Sequence, residues 1–286
     1  MSYHTDRDIT RESPGYRRIL LHLTPDRDHA AVFFSQTIDL VRTLPWLEEH
    51  AVKTGRKLGI LALFTAAAGR MLHEHPNLNR YAAGWRVYQR DGVYVTLSTK
   101  RELKHGAPVV MLKIPIHRGD DPDAIADRIT ATVGGGRSTK QLPVEKEVAT
   151  FLHIPGFILS SLVRVFLWLD RRHWLPGFFV DPDPMFTSLV IANLGSVGMD
   201  SAYHHLYEYG NCPFFAIIGR IHDEPVVVDG HVEVHPVVEI RYTFDERIED
   251  GLACALALAG AKELVEDPLR WTTGITDWGD RPPPHV

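Results

Sequence analysis

Residues 239–251 read Glu-Ile-Arg-Tyr-Thr-Phe-Asp-Glu-Arg-Ile-Glu-Asp-Gly and are the most informative segment of this 286-residue chain. The first six residues alternate polar and apolar side chains, which predicts a strand with one buried face. A charged loop ending in glycine comes next. The alanine-rich and leucine-rich residues 252–265 then predict a helix that ends near Pro268. The segment therefore predicts a strand, a charged loop and an apolar helix in direct succession.

The chain before this segment alternates between predicted helices and strands. Residues 59–74 are rich in helix formers and stop just before Pro76, which predicts a mostly buried helix. Asp91-Gly92 separates two strand-like runs within 86–98, which predicts a hairpin. Further predicted elements are a helix over 122–132 and strands over 109–116, 187–192, 214–218, 226–234 and 237–244. This interleaving predicts an α/β or α+β domain with a mixed sheet.

Composition and charge exclude several classes of partner. The 31 basic and 36 acidic side chains give a net charge of −5, so no basic excess is available for phosphates, and nucleic acid is not an expected partner. The two cysteines, Cys212 and Cys254, do not have the spacing of a disulfide framework. Residues 1–11 lack the apolar core of an export signal. We therefore expect a cytoplasmic protein.

Residues 154–180 are the most apolar stretch of the chain. Arg164 and the Asp-Arg-Arg cluster at 170–172 interrupt it too early for a transmembrane segment. Residues 156–174 still predict an apolar helix, which could pack inside, lie on a membrane or cover an acyl pocket. We favour burial against the core or against a partner subunit.

Two other patterns favour structural roles. Residues 134–140, Gly-Gly-Gly-Arg-Ser-Thr-Lys, contain the residue types of a phosphate-binding loop in the wrong order, which favours a flexible connection. The closest pairs among the 16 histidines are at positions 73 and 75, 204 and 205, and 231 and 235. None of these spacings fits a metal site well, since adjacent side chains and those two apart on a helix diverge. We therefore expect no metal.

Five segments together resemble one protein family. Residues 245–251 are similar to Asp-His-Arg-x-x-Asp-Gly, the signature of the dihydrolipoamide acyltransferase cores of 2-oxoacid dehydrogenase complexes, which share their fold with chloramphenicol acetyltransferase. The other similar segments, in the family's order, are 72–79 (Leu-x-x-x-Pro-x-x-Asn), 190–198 (Thr-Ile-Ser-Asn-Leu-Gly-x-x-Gly), the hairpin over 216–230 and 264–268 (Leu-Leu-Glu-x-Pro). The resemblance covers residues 15–270.

The resemblance implies a two-layer α/β sandwich with a mixed sheet. It also implies a homotrimer, or a multiple of three, with active sites between subunits, acyl-CoA as a possible ligand and no covalent cofactor. In the family, the signature histidine removes the dihydrolipoyl thiol proton, and the serine of Ile-Ser-Asn-Leu-Gly donates a hydrogen bond to the oxyanion. In this chain Glu246 replaces that histidine, and Ala192, followed by Asn193, replaces that serine.

The resemblance also implies an architectural ion pair. Asp250 matches an aspartate that the family pairs with an arginine near the N-terminus, and Arg17 and Arg18 are the candidates. Asp250 is also placed to cap the helix that starts near Leu252, and both roles are compatible.

Two functions remain open at this stage. Without the histidine and the serine, acyl transfer to dihydrolipoamide should be severely impaired, which favours an assembly or thioester-binding component. The alternative is an active CoA-dependent acyltransferase that uses Glu246 as base toward an amine, a hydroxyl or water. No segment resembles a lipoyl domain, so a lipoyl substrate would come from another chain.

The expected domain organisation is simple. We expect a flexible N-terminus over 1–14, a single acyltransferase-like domain over 15–273 and a flexible tail over 274–286. An apolar helical insert occupies about 151–180 of that domain.

Overall fold

The computed structural model of the protein describes residues 5–100, 109–136 and 154–273. Its strands are β1 (Arg7–Asp8), β2 (Ala31–Asp39), β3 (Arg80–Ala83), β4 (Arg86–Gln89), β5 (Val93–Lys100), β6 (Val109–Ile116), β7 (Leu189–Asn193), β8 (Phe214–Val228) and β9 (His231–Asp245). Its helices are α1 (Gly15–Leu23), α2 (Thr43–Thr54), α3 (Ile60–Glu74), α4 (Pro122–Gly136), α5 (Gly156–Asp170), α6 (Gly177–Val180), α7 (Gly251–Glu266) and α8 (Arg270–Thr273). The predicted tail over 274–286, the end of the glycine-rich segment at 137–140 and positions 151–153 of the insert lie outside the described residues.

A six-stranded mixed sheet forms the centre of the fold, with the strand order β2-β9-β8-β7-β5-β6. The neighbours β5, β7 and β8 run parallel, and the other neighbouring pairs are antiparallel. Parallel neighbours cannot be joined by a tight turn, so the chain must leave the sheet between them. The chain between β6 and β7 includes α4, α5 and α6, which explains the predicted alternation of strands and helices.

One face of the sheet, here called the inner face, packs against helices α3 and α7. Alternate strand residues point toward these helices, among them Leu97 in β5, Ile191 in β7 and Ile240 in β9. The helices contribute apolar residues such as Leu63 and Leu258 to the same core. The apolar residues that recur along the strands and along the helices therefore pack together in one hydrophobic layer.

The opposite face of the sheet, here called the outer face, is partly covered by the loop over 200–212. Leu206 and Cys212 of this loop pack against Val190 and Phe215. Coverage of this face is uneven: the outer-face residues Thr96 and Thr243 are fully buried, whereas Ser98 and Arg241 are half-buried.

The predicted hairpin at Asp91-Gly92 is wrong. β4 pairs with β3 around Gly84 in a small sheet that also contains β1, whereas β5 pairs with β6 and β7 in the large sheet. Gly84 and Gly92 have φ angles of 58° and 93°, respectively, so both permit a sharp change of direction. The sequence locates the turn, but burial of distant residues decides which strands pair.

The expectation of a flexible N-terminus is wrong for residues 7–9. β1 pairs with β4, and Ile9 is 3% exposed in a cluster with Leu21, Ala82 and Val87. Composition alone did not reveal this attachment, because it depends on one isoleucine and a two-residue strand in a polar segment.

Helix α5 corresponds to the predicted apolar helix but ends earlier, at Asp170. Phe166 and Leu169 pack against a hydrophobic cluster near the small sheet, whereas Phe157 is 75% exposed and Trp168 is 46% exposed. Within its own chain the helix is therefore buried only in part, near its C-terminal end, and burial against a partner subunit stays a prediction. None of the helices within the described ranges is long and apolar enough to cross a bilayer.

Asp170 is the last residue of α5 and lines a polar pocket. Its side chain is buried near Arg27 and Arg171, and Gly210 also lines the pocket. Burial raises the pKa of Asp170 to about 7, although the positive charge of Arg27 opposes this shift. The carboxyl group therefore titrates close to neutral pH in the folded protein.

The variant Asp170→Asn should be more stable relative to wild type at pH 8 than at pH 5. The folded state holds the Asp170 proton more tightly than the unfolded chain does. The wild-type free energy of unfolding therefore falls between about pH 4 and pH 7, by roughly 4 kcal/mol for this group. Asparagine cannot ionise, so it avoids this loss.

Urea denaturation of both proteins at the two pH values measures this effect. The control is Asp200→Asn, because the Asp200 side chain is 68% exposed. An Asp170→Asn effect of the same size at both pH values would contradict the prediction.

Candidate active site

A buried ion pair anchors the charged loop that follows β9. Asp245 is fully buried and accepts two hydrogen bonds from the Arg247 guanidinium, at 2.8 Å from Nε and 2.7 Å from Nη2, and a third from the Arg247 backbone amide at 3.1 Å. Arg27 approaches the same carboxylate at 3.8 Å, and burial lowers the pKa of Arg27 although Asp245 opposes the shift. Arg247 also donates to the backbone carbonyls of Thr24 and Pro25. These contacts fix the backbone on either side of position 246.

Glu246 is held by its backbone, and its carboxylate projects from a fixed point. Its amide donates to the carbonyl of Ala30 at 3.0 Å, and its carbonyl accepts from Arg17 Nη1 at 3.2 Å. The residue is half-buried. Within the described ranges, its carboxylate makes no hydrogen bond or ion pair with another residue, so it is available to a ligand.

The arginine near the N-terminus pairs with Glu249 rather than with Asp250, so this part of the prediction is wrong. Arg17 Nη2 lies 2.7 Å from Glu249 Oε1, and the two side chains are 3% and 13% exposed. The other carboxylate oxygen of Glu249 accepts from Asn77 and from Arg80, each at 3.1 Å. Sequence reasoning missed this network, although Asn77 lies inside the family-like segment 72–79.

Asp250 caps helix α7, which is the second role predicted for it. Its Oδ1 accepts a hydrogen bond from the amide of Ala253 at 3.0 Å, at the start of α7. Arg18, the other candidate partner, is exposed on α1. The ion-pair partner Glu249 and the helix cap Asp250 are therefore adjacent residues.

Ala192 and Asn193 end β7. Asn193 Oδ1 accepts from the amide of Ser196 at 3.1 Å, so this side chain stabilises the turn after the strand. Ala192 is half-buried on the outer face and supplies no hydrogen-bonding side chain.

Positions 192 and 246 of one chain are too far apart to contact the same carbonyl group. Ala192 is in register with Ile217, and Ile217 is in register with Arg241. Glu246 follows Arg241 by five residues, or about 16 Å of extended strand, and two strand spacings add about 10 Å across the sheet. The resulting separation is roughly 17 to 19 Å, so a site that uses both positions needs two copies of the chain.

The histidine pairs have structural contacts. His204 stacks on Phe215 with the ring centroids 4.6 Å apart, and His73 Nε2 lies 3.0 Å from the carbonyl oxygen of Ile116. His235 contacts Asp39 through Nδ1. In residues 5–100, 109–136 and 154–273, no group of three His, Cys, Asp or Glu side chains is arranged to hold a metal ion.

Comparison with known proteins relates this chain to acyltransferases. Residues 186–273 match the model of the catalytic domain of the 2-oxoacid dehydrogenases acyltransferase family. The mitochondrial dihydrolipoyllysine-residue succinyltransferase component of the 2-oxoglutarate dehydrogenase complex from Saccharomyces cerevisiae is 24% identical over 231 residues, which cover 78% of this chain and 39% of the relative. This chain thus spans about two fifths of that relative's length.

Solved structures show the same fold. A probable dihydrolipoamide acetyltransferase from Listeria monocytogenes superposes with a TM-score of 0.59 at 17% identity, covering 89% of this chain and 92% of that one. A chloramphenicol acetyltransferase superposes with a TM-score of 0.52 at 14% identity, covering 92% and 98%. The predicted family resemblance and the predicted α/β fold class are both confirmed.

Glu249→Ala should destabilise the protein much more than Asp250→Ala. Removing Glu249 leaves the buried Arg17 without its carboxylate, a loss that typically costs about 3 to 5 kcal/mol. Removing Asp250 takes away a helix cap, which typically costs about 1 kcal/mol. Urea unfolding of the two variants, side by side, measures the difference. A larger loss for Asp250→Ala would restore the original pairing hypothesis.

Proposed function

We propose that this homologue of the acyltransferase cores of 2-oxoacid dehydrogenase complexes is a trimeric thioester-binding or assembly component. In this proposal it lacks ordinary acyl transfer to dihydrolipoamide. The observation that carries the proposal is the pair of residues at the positions of the base and the oxyanion donor, Glu246 and Ala192. We also assign residues 15–273 to one acyltransferase-like domain.

The two replacements remove the chemistry that thiol attack requires. A free thiol has a pKa of about 8.5 and an ordinary glutamate about 4.3, so a carboxylate is a poor base for a thiol. Loss of one oxyanion donor costs about 2.7 to 4 kcal/mol of transition-state stabilisation. Alanine at position 192 provides no such donor, and both losses oppose transfer.

The contacts that hold the loop around Glu246 support a role for this site in ligand binding. Asp245, Arg247 and Arg17 still fix the backbone around position 246, although no histidine has to be positioned there. In this proposal the ligand is an acyl thioester, with acyl-CoA as the candidate and no covalent cofactor.

Two observations support a trimer or a multiple of three. The separation of Ala192 from Glu246 within one chain means that one site would combine the two positions from neighbouring subunits. Helix α5 exposes Phe157, Leu162 and Trp168, an apolar surface that a neighbouring subunit would cover.

A second candidate function is an active CoA-dependent acyltransferase with altered chemistry. The observation that favours it is the Glu246 carboxylate, which has no protein partner among the described residues and projects from a fixed backbone. In this role Glu246 would accept a proton from an amine, a hydroxyl or water as that group attacks the thioester.

The trimer is tested by sedimentation of the purified protein at micromolar concentration. We expect a mass of three chains or a multiple of three. The double variant Phe157→Asp and Trp168→Asp should shift the protein toward monomers, because charged groups cannot be buried in an apolar contact. Val52→Asp is the matched control, since Val52 is 85% exposed on α2. A stable wild-type monomer would overturn the trimer.

The lost-catalysis proposal predicts a rescue. The double variant Glu246→His and Ala192→Ser restores a base suited to neutral pH and adds a hydroxyl donor. Its rate of transfer from acetyl-CoA to dihydrolipoamide should exceed that of wild type by about 100-fold or more.

Calorimetric titration of wild type with CoA accompanies this assay. Binding with rescue supports the proposal, and the absence of CoA binding contradicts its thioester-binding form. High wild-type activity toward any acceptor that disappears in Glu246→Gln would establish the second candidate function instead.

A further inference from the structure

A serine occupies the strand position beside Ala192. β5 and β7 are parallel, and Ser98 of β5 is in register with Ala192 of β7. Paired residues on neighbouring strands lie about 4.8 Å apart. Ser98 is therefore one strand spacing from the position where the family has its oxyanion serine.

Ser98 and Ala192 share the outer face of the sheet. Their chain neighbours Leu97 and Ile191 belong to the core of the inner face. Met111, which is paired with Ser98 on β6, packs in the outer-face cluster that contains Val190. Because residues alternate between faces, Ser98 and Ala192 both point outward.

The hydroxyl of Ser98 is available to a ligand. Ser98 is half-buried, and within the described ranges its hydroxyl forms no hydrogen bond with the protein. The methyl group of Ala192 is shorter than a serine side chain, so it leaves space over position 192 for a group that approaches from outside the sheet.

We propose that Ser98 donates the hydrogen bond to the carbonyl oxygen of a bound acyl thioester. The donor lost at position 192 is thus replaced from the neighbouring strand. This inference rests on the proposed thioester binding and adds the residue that recognises the carbonyl group. A hydroxyl can donate one hydrogen bond, and a thioester carbonyl is an acceptor, so the chemistry is complementary.

The test compares two ligands that differ at the carbonyl group. Acetyl-CoA has a thioester carbonyl, whereas S-ethyl-CoA, the corresponding thioether, has a methylene group in its place. Calorimetry on the intact wild-type protein should show tighter binding of acetyl-CoA by about 2-fold to 10-fold, the range expected for one hydrogen bond.

Three variants locate the donor. Ser98→Ala should remove the preference for acetyl-CoA while affinity for S-ethyl-CoA stays unchanged. The double variant Ser98→Ala and Ala192→Ser should restore the preference by returning a hydroxyl to the neighbouring position. Ser35→Ala is the matched control, since Ser35 pairs with Arg241 at the far end of the same row on the outer face. This control should keep the preference.

The outcomes separate this inference from the proposed function. Binding of both ligands without a preference in wild type, or a preference that survives Ser98→Ala, overturns the role of Ser98 and leaves thioester binding standing. Failure of wild type to bind either CoA compound overturns the proposed thioester binding and this inference with it.

Discussion

The ion pair between Asp245 and Arg247 is the contact on which the candidate site depends. A fully buried carboxylate must be paired, and the neighbouring arginine is close enough to supply both hydrogen bonds. Arg247 then binds the backbone before β2, and Arg27 carries the contact to the carbonyls of Ala82 and Tyr207. The pair thus joins the end of β9 to the N-terminal segment, the small sheet and the outer loop. These contacts use the backbone of residue 246 and the side chains around it, so they do not require a particular side chain at position 246.

The sequence predicts secondary structure and capping, which depend on residues close together in the chain, but not contacts between residues far apart in the chain. The apolar helices α3 and α7, the alternating strand β9 and the cap at Asp250 follow from patterns within a few residues. The Arg17–Glu249 pair joins residues 232 positions apart, so no local pattern distinguishes Glu249 from Asp250. The turn at Gly92 was visible, but its strands belong to different sheets because their apolar faces are buried against different partners. For the site, the family resemblance located positions 192 and 246, whereas strand register was needed to find Ser98.

On the proposed function, the geometry of the sheet also leaves a single chain with an incomplete site. β9 carries the signature loop beyond its end, whereas β7 presents Ala192 near the middle of the outer face, and both are fixed by the same ladder of hydrogen bonds. No side-chain rearrangement can bridge such a separation, because side chains reach only a few ångströms. A second copy is the simplest source of the missing half. The exposed apolar surface of α5 gives such an association a hydrophobic driving force.

Polarising a thioester and attacking it are separable tasks, and in the proposed function positions 192 and 246 affect them differently. Ser98 of β5 lies on the same face and in the same row as position 192, so in this proposal it supplies the donor to the carbonyl that Ala192 does not. In this proposal the base has no comparable replacement, since a carboxylate is in general a poor base for a thiol. A site with the donor but without the base would hold a thioester and leave it intact. On the proposed function, this asymmetry favours binding over transfer, and the second candidate function is then restricted to acceptors that a carboxylate can activate.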